Sequence, residues 1–296
     1  MTISASPESC FFYGNGLRQH YWHFRSPGCA TVIMLHGIRS YAKTWMRTAE
    51  LLRAHFDIVA LDLRGRGDSE WSAVANYYAD DYVADIEALV DHLQLHQLIL
   101  LGHSLGGQNA LLYAAKHPAQ VAALIVEDIG PGSSSAGAGA VRIVREFENT
   151  PEQFDSWQEA TQFWRSIRPH ISDASLRQRV LETLTENADG KICWSYDFAG
   201  IKKARLDAAA QPAKIPDLWP AVRSLACPTL VLRGENSDYL SRDTLIAMAN
   251  SNPRIEIAEV PGATHYVHDD NFSDFYQRID RFLDPWKQRL QERSRC

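Results

Sequence analysis

Short apolar runs that alternate with segments of helical periodicity restrict the fold of this sequence more than any other feature. Most of these runs are apolar throughout rather than alternating, as in strands that are buried on both faces of a parallel sheet. The intervening segments, such as residues 78–93, repeat apolar residues at helical spacing. This alternation predicts an α/β architecture with a mostly parallel sheet flanked by helices. The runs cover residues 31–35, 57–61, 98–101, 122–126, 229–232 and 255–260.

The alternation stops after Val126, where a stretch rich in glycine, serine and alanine is typical of a loop or hinge. The following segment has helical patterns and no convincing strand. Strand patterns resume at Cys227, so we interpret residues 131–223 as a helical insertion between two strands of one sheet. The alternative is an independent helical domain. Residues 1–130 and 224–296 then form the core that carries the sheet.

Composition restricts the partners and the compartment of the protein. The chain has 296 residues and a formal net charge of −6, so it lacks the basic excess that nucleic-acid binding requires. Its 5 cysteines are scattered without CxxC spacing, which predicts free thiols rather than a zinc site or a disulfide framework. No apolar run is long enough to span a membrane. We therefore expect a cytoplasmic protein with no membrane or nucleic-acid partner.

Gly102, Ser104 and Gly106 form a Gly-x-Ser-x-Gly pattern between a buried run and a helical segment. In a nucleophile elbow, a serine at a sharp strand-to-helix turn exposes its hydroxyl, and glycines two residues away avoid a collision. The start of the helix supplies amide donors for an anionic intermediate. The pattern predicts Ser104 as a nucleophile. The alternative is a glycine-rich turn with a capping serine.

A nucleophilic serine needs a base to remove its proton and an acid to orient that base. His265 follows the last predicted strand, at the sheet edge where ligands bind in open α/β sheets, so we predict that it is the base. Its rival, His268, reads as part of a polar helix. For the acid we expect Asp238, because of its loop placement and chain order, with Asp128 as the alternative.

Two backbone N–H groups have to face the oxyanion that forms during acyl transfer. One should belong to Leu105, which directly follows the predicted nucleophile. The other should belong to Ile38, in the loop after the apolar run at residues 31–35. We therefore predict an oxyanion hole formed by these two amides.

Cationic and aromatic side chains in and near the insertion are candidates for substrate contacts. They would suit a small molecule that carries a carboxylate or an aromatic group. Helical spacing favours the alternative, in which the aromatic residues form the insertion's own core and its arginines a solvated face. An arginine beside the oxyanion loop serves equally well as a structural partner of an acid. The candidates are Arg39, His103, Trp164, Arg165 and Arg168.

These motifs together resemble the α/β-hydrolase superfamily. The resemblance implies an eight-stranded sheet, a Ser–Asp–His triad, a helical cap at residues 131–223, and neither cofactor nor metal. Some members place the acid after the sixth strand, which keeps Asp128 in consideration. The matching pieces, in family order, are residues 36–37, 62–69, 102–107, 234–238 and 262–265.

The resemblance implies a serine hydrolase that cleaves a small-molecule ester, lactone or amide through an acyl-enzyme. Two alternatives remain open on the same fold: a C–C bond hydrolase of ring-cleavage products, and a cofactor-free oxygenase. The expected partner is a small-molecule substrate, and a homodimer is left open.

Overall fold

The computed structural model describes residues 6–169 and 171–293. An eight-stranded sheet forms its centre, in the order β1-β2-β4-β3-β5-β6-β10-β11. Strands β1, β2 and β4 pair antiparallel, and the remaining pairs are parallel. The predicted α/β architecture is confirmed. The strands are β1 (Glu8–Gly14), β2 (Leu17–Phe24), β3 (Thr31–Leu35), β4 (Asp57–Leu61), β5 (Leu98–His103), β6 (Val121–Glu127), β7 (Gln153–Phe154), β8 (Leu184–Glu186), β9 (Ile192–Trp194), β10 (Thr229–Gly234) and β11 (Ile255–Val260).

Helices cover both faces of the sheet. None of those in residues 6–169 and 171–293 combines the length and the apolarity needed to cross a bilayer. Single 3-10 turns precede α1 and follow α7, at Ala42–Trp45 and Pro212–Lys214. The helices are α1 (Met46–Leu52), α2 (Ala79–His92), α3 (Leu105–Lys116), α4 (Gly137–Asn149), α5 (Trp157–Ile167), α6 (Asp173–Thr183), α7 (Phe198–Ala210), α8 (Trp219–Ser224), α9 (Arg242–Ser251), α10 (Val267–Asp270) and α11 (Phe272–Arg293).

The core lies in two layers, one on each face of the sheet, and this explains why a central strand such as β3 is apolar at nearly every position. In β3, Ile33 and Leu35 belong to one buried cluster, whereas Val32 and Met34 belong to the other. Successive side chains of a strand point to opposite faces, so a strand covered on both faces has to be apolar at every position.

The segment between β6 and β10 contains helices α4 to α7 and a small three-stranded sheet in the order β7-β9-β8. The expectation of no strand in this segment is therefore wrong. These strands have only 2 or 3 residues each, too few for an alternating pattern to be visible. Helix α8, which spans the predicted end of the insertion, packs against α3 and α9. The boundaries at residues 131 and 223 stay a prediction.

Candidate active site

Ser104 lies at the sharp turn between β5 and α3, with φ 51° and ψ −115°. A Cβ on Gly102 would lie 2.4 Å from the carbonyl oxygen of Gly106, and one on Gly106 would lie 2.2 Å from that of Leu35. Both distances are far inside van der Waals contact, so a side chain at either position would require the backbone to move. The two glycines thus permit the left-handed backbone at Ser104, as the sequence pattern predicted.

His265 lies in the loop between β11 and α10, and its side chain reaches the serine. The Ser104 hydroxyl donates to His265 Nε2 at 3.0 Å. The backbone of the loop is fixed in turn, because His103 Nε2 donates to the His265 carbonyl oxygen at 2.9 Å. This geometry lets the imidazole accept the serine proton.

The carboxylate that meets His265 belongs to Asp128, the residue after β6. His265 Nδ1 lies 2.8 Å from Asp128 Oδ2. The same carboxylate accepts the backbone N–H of Gly234 at 3.0 Å and the hydroxyl of Ser237 at 2.5 Å. With Nδ1–H donated to Asp128, Nε2 is the unprotonated nitrogen that faces Ser104.

Asp238, the expected acid, pairs elsewhere. Arg142 of α4 donates to both of its carboxylate oxygens, through Nε at 2.7 Å and Nη2 at 2.9 Å. The expected contact between Asp238 and His265 is therefore corrected to one between Asp128 and His265. Asp128 and Asp238 follow neighbouring strands. The Asp238 side chain, however, pairs with Arg142 of the insertion and is 36% exposed.

Burial determines the protonation of the histidine. Desolvation lowers the pKa of His265 to about 3, and the charge of Arg142 acts in the same direction. Desolvation also raises the pKa of Asp128, although the hydrogen bonds from Ser237 and Gly234 stabilise its charged form. We conclude that the His265 imidazole is neutral near pH 7, as a base that accepts a proton from serine must be.

Ser104 faces two cavities, and the larger contains about 720 Å³ of empty space, which includes open solvent at its mouth. Its walls are mainly apolar and aromatic side chains. Ile38 and Leu105, the predicted oxyanion residues, line this cavity together with Ser104. Their residue positions suit the predicted role, which stays a prediction. Other lining residues are Tyr77, Tyr82, Ile143, Ile201 and Tyr239.

The smaller cavity, with about 410 Å³ of empty space including open solvent, is bounded by Ser104 and His265 and has a cationic wall. Four of the five predicted substrate-contact residues line it, namely Arg39, His103, Trp164 and Arg168. The fifth, Arg165, does not. Its guanidinium binds the Ile171 carbonyl oxygen and the carboxylate of Asp173 instead, because the last turn of α5 directs it to solvent, where it is 37% exposed.

Sequence reasoning missed Arg179, which lines the smaller cavity from α6. It shares a buried face of that helix with Leu176, Val180 and Thr183. That spacing of 3 or 4 residues is visible in the sequence and could have identified an inward-facing arginine.

His268, the rival base, is buried in a different pair. Its Nδ1 and backbone N–H both donate to Glu127 Oε1, at 2.8 and 2.9 Å. Charge on Glu127 and Asp269 raises the pKa of His268 despite its burial. The imidazole of His268 thus supports the loop that carries His265 without contacting Ser104.

One group of side chains within residues 6–169 and 171–293 has donor atoms close enough together to hold a metal ion. The donor atoms of His20, Asp62 and Asp68 lie within 4.8 Å of one another. His20 Nδ1 lies 2.7 Å from Asp62 Oδ2, and the other Asp62 oxygen accepts the Ala42 N–H at 2.6 Å. Since these atoms already hydrogen-bond to protein groups, we interpret the cluster as structural.

Comparison with known proteins agrees with this geometry. A family model described as the alpha/beta hydrolase fold matches residues 30–272. The sn-1-specific diacylglycerol lipase ABHD11 of Mus musculus is 29% identical over 257 residues, covering 85% of this chain and 80% of that protein. N-formylmaleamate deformylase of Pseudomonas putida is 31% identical over 270 residues, covering 91% and 94%.

A solved structure gives the same result in three dimensions. The crystal structure of E-2-(acetamidomethylene)succinate hydrolase superposes with a TM-score of 0.81 at 25% sequence identity, covering 94% of this chain and 99% of that one. The segment that the family model matches includes the six parallel strands of the main sheet, the turn at Ser104 and the loop that carries His265. The chain belongs to the α/β-hydrolase family and is an enzyme of that family.

Proposed function

We propose that this protein is a serine hydrolase that cleaves a small-molecule ester, lactone or amide through an acyl-enzyme. The triad is Ser104, His265 and Asp128. One observation carries the proposal: two hydrogen bonds, of 3.0 and 2.8 Å, link the serine hydroxyl through the imidazole to a buried carboxylate. A strained turn presents that hydroxyl to both cavities.

The reaction begins when Ser104 Oγ attacks the substrate carbonyl carbon and His265 Nε2 takes the hydroxyl proton. Asp128 stabilises the imidazolium that results. The tetrahedral intermediate collapses as His265 gives its proton to the leaving alkoxide or amine, leaving an ester on Ser104. Water then attacks that ester, and His265 takes its proton and returns it to Ser104. Each of these steps is carried by the side chains of the triad.

Charge on the tetrahedral oxygen needs donors that are already in place. The amides of Leu105 and Ile38 are our candidates. Leu105 is the first residue of α3, so the positive end of that helix dipole adds to its donor strength. Ile38 lies in the loop after β3 and reaches the same cavity.

Relatives support hydrolysis at a carbonyl bonded to oxygen or nitrogen. One is named as a diacylglycerol lipase, which acts on esters. Two others are named after compounds that contain an amide group: N-formylmaleamate deformylase and E-2-(acetamidomethylene)succinate hydrolase. A panel of small esters, lactones and amides is therefore the first set of substrates to assay.

The test compares Ser104→Ala with Ser135→Ala, a substitution at an exposed serine outside both cavities. Wild type and Ser135→Ala should hydrolyse a substrate of the panel and react at one site with a fluorophosphonate probe. Ser104→Ala should do neither while melting at the same temperature. Ester turnover by Ser104→Ala, or a probe attached to another residue, would overturn the proposal. So would a wild type that consumes oxygen but hydrolyses nothing in the panel.

A further inference from the structure

Three arginines line the smaller cavity, although each is almost completely buried. Arg39, Arg168 and Arg179 are 6, 4 and 4% exposed. They come from the loop after β3, the end of α5 and the middle of α6, and they line the cavity that Ser104 and His265 also border. Buried arginines normally have acidic partners that balance their charge.

Acidic side chains balance these three charges only in part. Asp269 accepts from both Arg168, at 2.9 Å, and Arg179, at 3.3 Å. Glu146 lies 3.4 Å from Arg39 but is closer to Arg142, at 2.6 Å. Two carboxylates thus serve four guanidinium groups, one of which, Arg142, also pairs with Asp238. The cavity wall keeps an excess of positive charge.

Several donors on this wall have no hydrogen-bond partner among the described residues. A buried donor without a partner is unfavourable, and a bound acceptor would satisfy it. Each of the following atoms is buried, and each belongs to a residue that lines the cavity: Arg39 Nε, Ser40 Oγ, Trp164 Nε1, Arg168 Nη1 and Arg179 Nε.

We propose that this cavity binds a carboxylate of the substrate while Ser104 attacks a carbonyl of the same molecule. A carboxylate supplies two coplanar acceptor oxygens and a negative charge, which match guanidinium donors better than a neutral group does. The inference rests on the proposed serine hydrolysis and adds the substrate class. Because Ser104 also borders the larger, apolar cavity, the uncharged end of the substrate lies there.

Binding is measured first, without catalysis, by calorimetry of the Ser104→Ala protein with succinate and with succinamide. Succinate should bind at least about tenfold more tightly than its neutral diamide. Adding Arg168→Gln should weaken succinate binding about tenfold, whereas Arg165→Gln, a matched change three residues earlier on the solvent side, should leave it unchanged. Arg168→Lys keeps the charge and should restore part of the affinity.

Several results would overturn the carboxylate site. They are equal affinity for the two compounds, no measurable binding of succinate, and equal weakening by the Arg165 and Arg168 changes. Melting temperatures identify a variant that fails to fold. If Arg168→Gln does not fold, the single variants Arg168→Lys and Arg179→Gln replace it in the comparison with Arg165→Gln.

Catalysis provides the second readout, with 4-nitrophenyl hemisuccinate and 4-nitrophenyl 4-methylpentanoate, in which an isopropyl group replaces the carboxylate. Arg168→Gln should raise KM for the hemisuccinate about tenfold and leave kcat nearly constant, with little effect on the neutral ester. Equal effects on both esters would overturn the inference. Succinate binding by an enzyme that cleaves no ester would instead overturn the proposed hydrolysis, so the two failures are distinguishable.

Discussion

The Ser237 hydroxyl donates to Asp128 Oδ2 at 2.5 Å, and that oxygen is also the one that His265 Nδ1 contacts. Ser237 follows β10, whereas Asp128 follows β6, the adjacent strand. The loop after β10 thus contributes a donor, not the acid itself, to the group that orients the base. Asp128 has φ 52° and is completely buried, so its neighbours have to hold the carboxylate in this position.

Asp128→Asn should lower kcat about 10³- to 10⁴-fold, because an amide in place of the carboxylate favours the wrong imidazole tautomer and cannot stabilise the imidazolium. Asp238→Asn should change kcat only a few-fold, since Asp238 contacts Arg142 rather than His265. Steady-state kinetics of the two variants on one ester measure both effects. A larger loss from Asp238→Asn would contradict the contacts described here.

The acid limb of kcat/KM should lie below pH 6.5, the ordinary pKa of histidine. His265 has to be neutral to act as a base, and burial lowers its pKa to about 3. Protonation on acidification therefore begins at lower pH than for an exposed imidazole. Rates measured from pH 4 to 9, with each sample reassayed at pH 7.5, separate titration from denaturation. A reversible limb at or above pH 6.5 would contradict the prediction.

Local sequence determines one half of the site, and long-range contacts determine the other. The role of Ser104 is predictable from the glycines two residues away on either side, and that of His265 from its position just after a strand. The acid depends on Arg142 and Asp238, which are 96 residues apart, and on Ser237 and Asp128, which are 109 apart. Nothing local to either aspartate reveals these partners, so strand ends alone leave both acids plausible.

The same distinction applies to the fold and to the arginines. The parallel strands of the main sheet are predictable because burial on both faces favours an apolar run, as in β3. The strands of two or three residues in the insertion carry no such pattern. Arg165 and Arg168 differ by less than one helical turn, yet one is solvent-facing and the other buried. Arg165 lies within α5 and Arg168 just after its last residue, so the end of the helix determines which of them is buried. The exact end of a helix is difficult to predict from sequence.

Gly106→Ala should destabilise the protein by about 3 kcal/mol and abolish hydrolysis, because the new Cβ would lie 2.2 Å from the Leu35 carbonyl oxygen. Relief of that contact would move the turn that carries Ser104. Gly28→Ala is the control: Gly28 has φ 83°, and a Cβ added there would have nothing within 4 Å. It should cost about 1 kcal/mol with activity unchanged. Urea unfolding and ester kinetics test both, and wild-type activity in Gly106→Ala would refute the packing argument.

Acidification should destabilise the fold through His36, which is buried and held neutral. Its Nδ1–H donates to the Gly37 carbonyl oxygen at 2.8 Å, and its Nε2 accepts the Leu63 N–H at 3.1 Å. Desolvation lowers its pKa to about 4, while the unfolded chain has the ordinary value of about 6.5. Between pH 6.5 and about 4, His36 is therefore protonated in the unfolded state but stays neutral in the folded state. The free energy of unfolding should fall by at most about 1.4 kcal/mol per pH unit from this residue, until the pH reaches the folded pKa.

Urea unfolding of wild type, His36→Gln and His55→Gln at pH 7.5 and 5.5 isolates that contribution. His55 is exposed, so His55→Gln should lose as much stability between the two pH values as wild type does. His36→Gln should be less stable at pH 7.5, because the Leu63 and Gly37 hydrogen bonds are perturbed, but should lose about 1 kcal/mol less on acidification. An identical pH dependence in all three proteins would mean that His36 takes up its proton without unfolding, in conflict with two ring nitrogens that are both engaged in the neutral form.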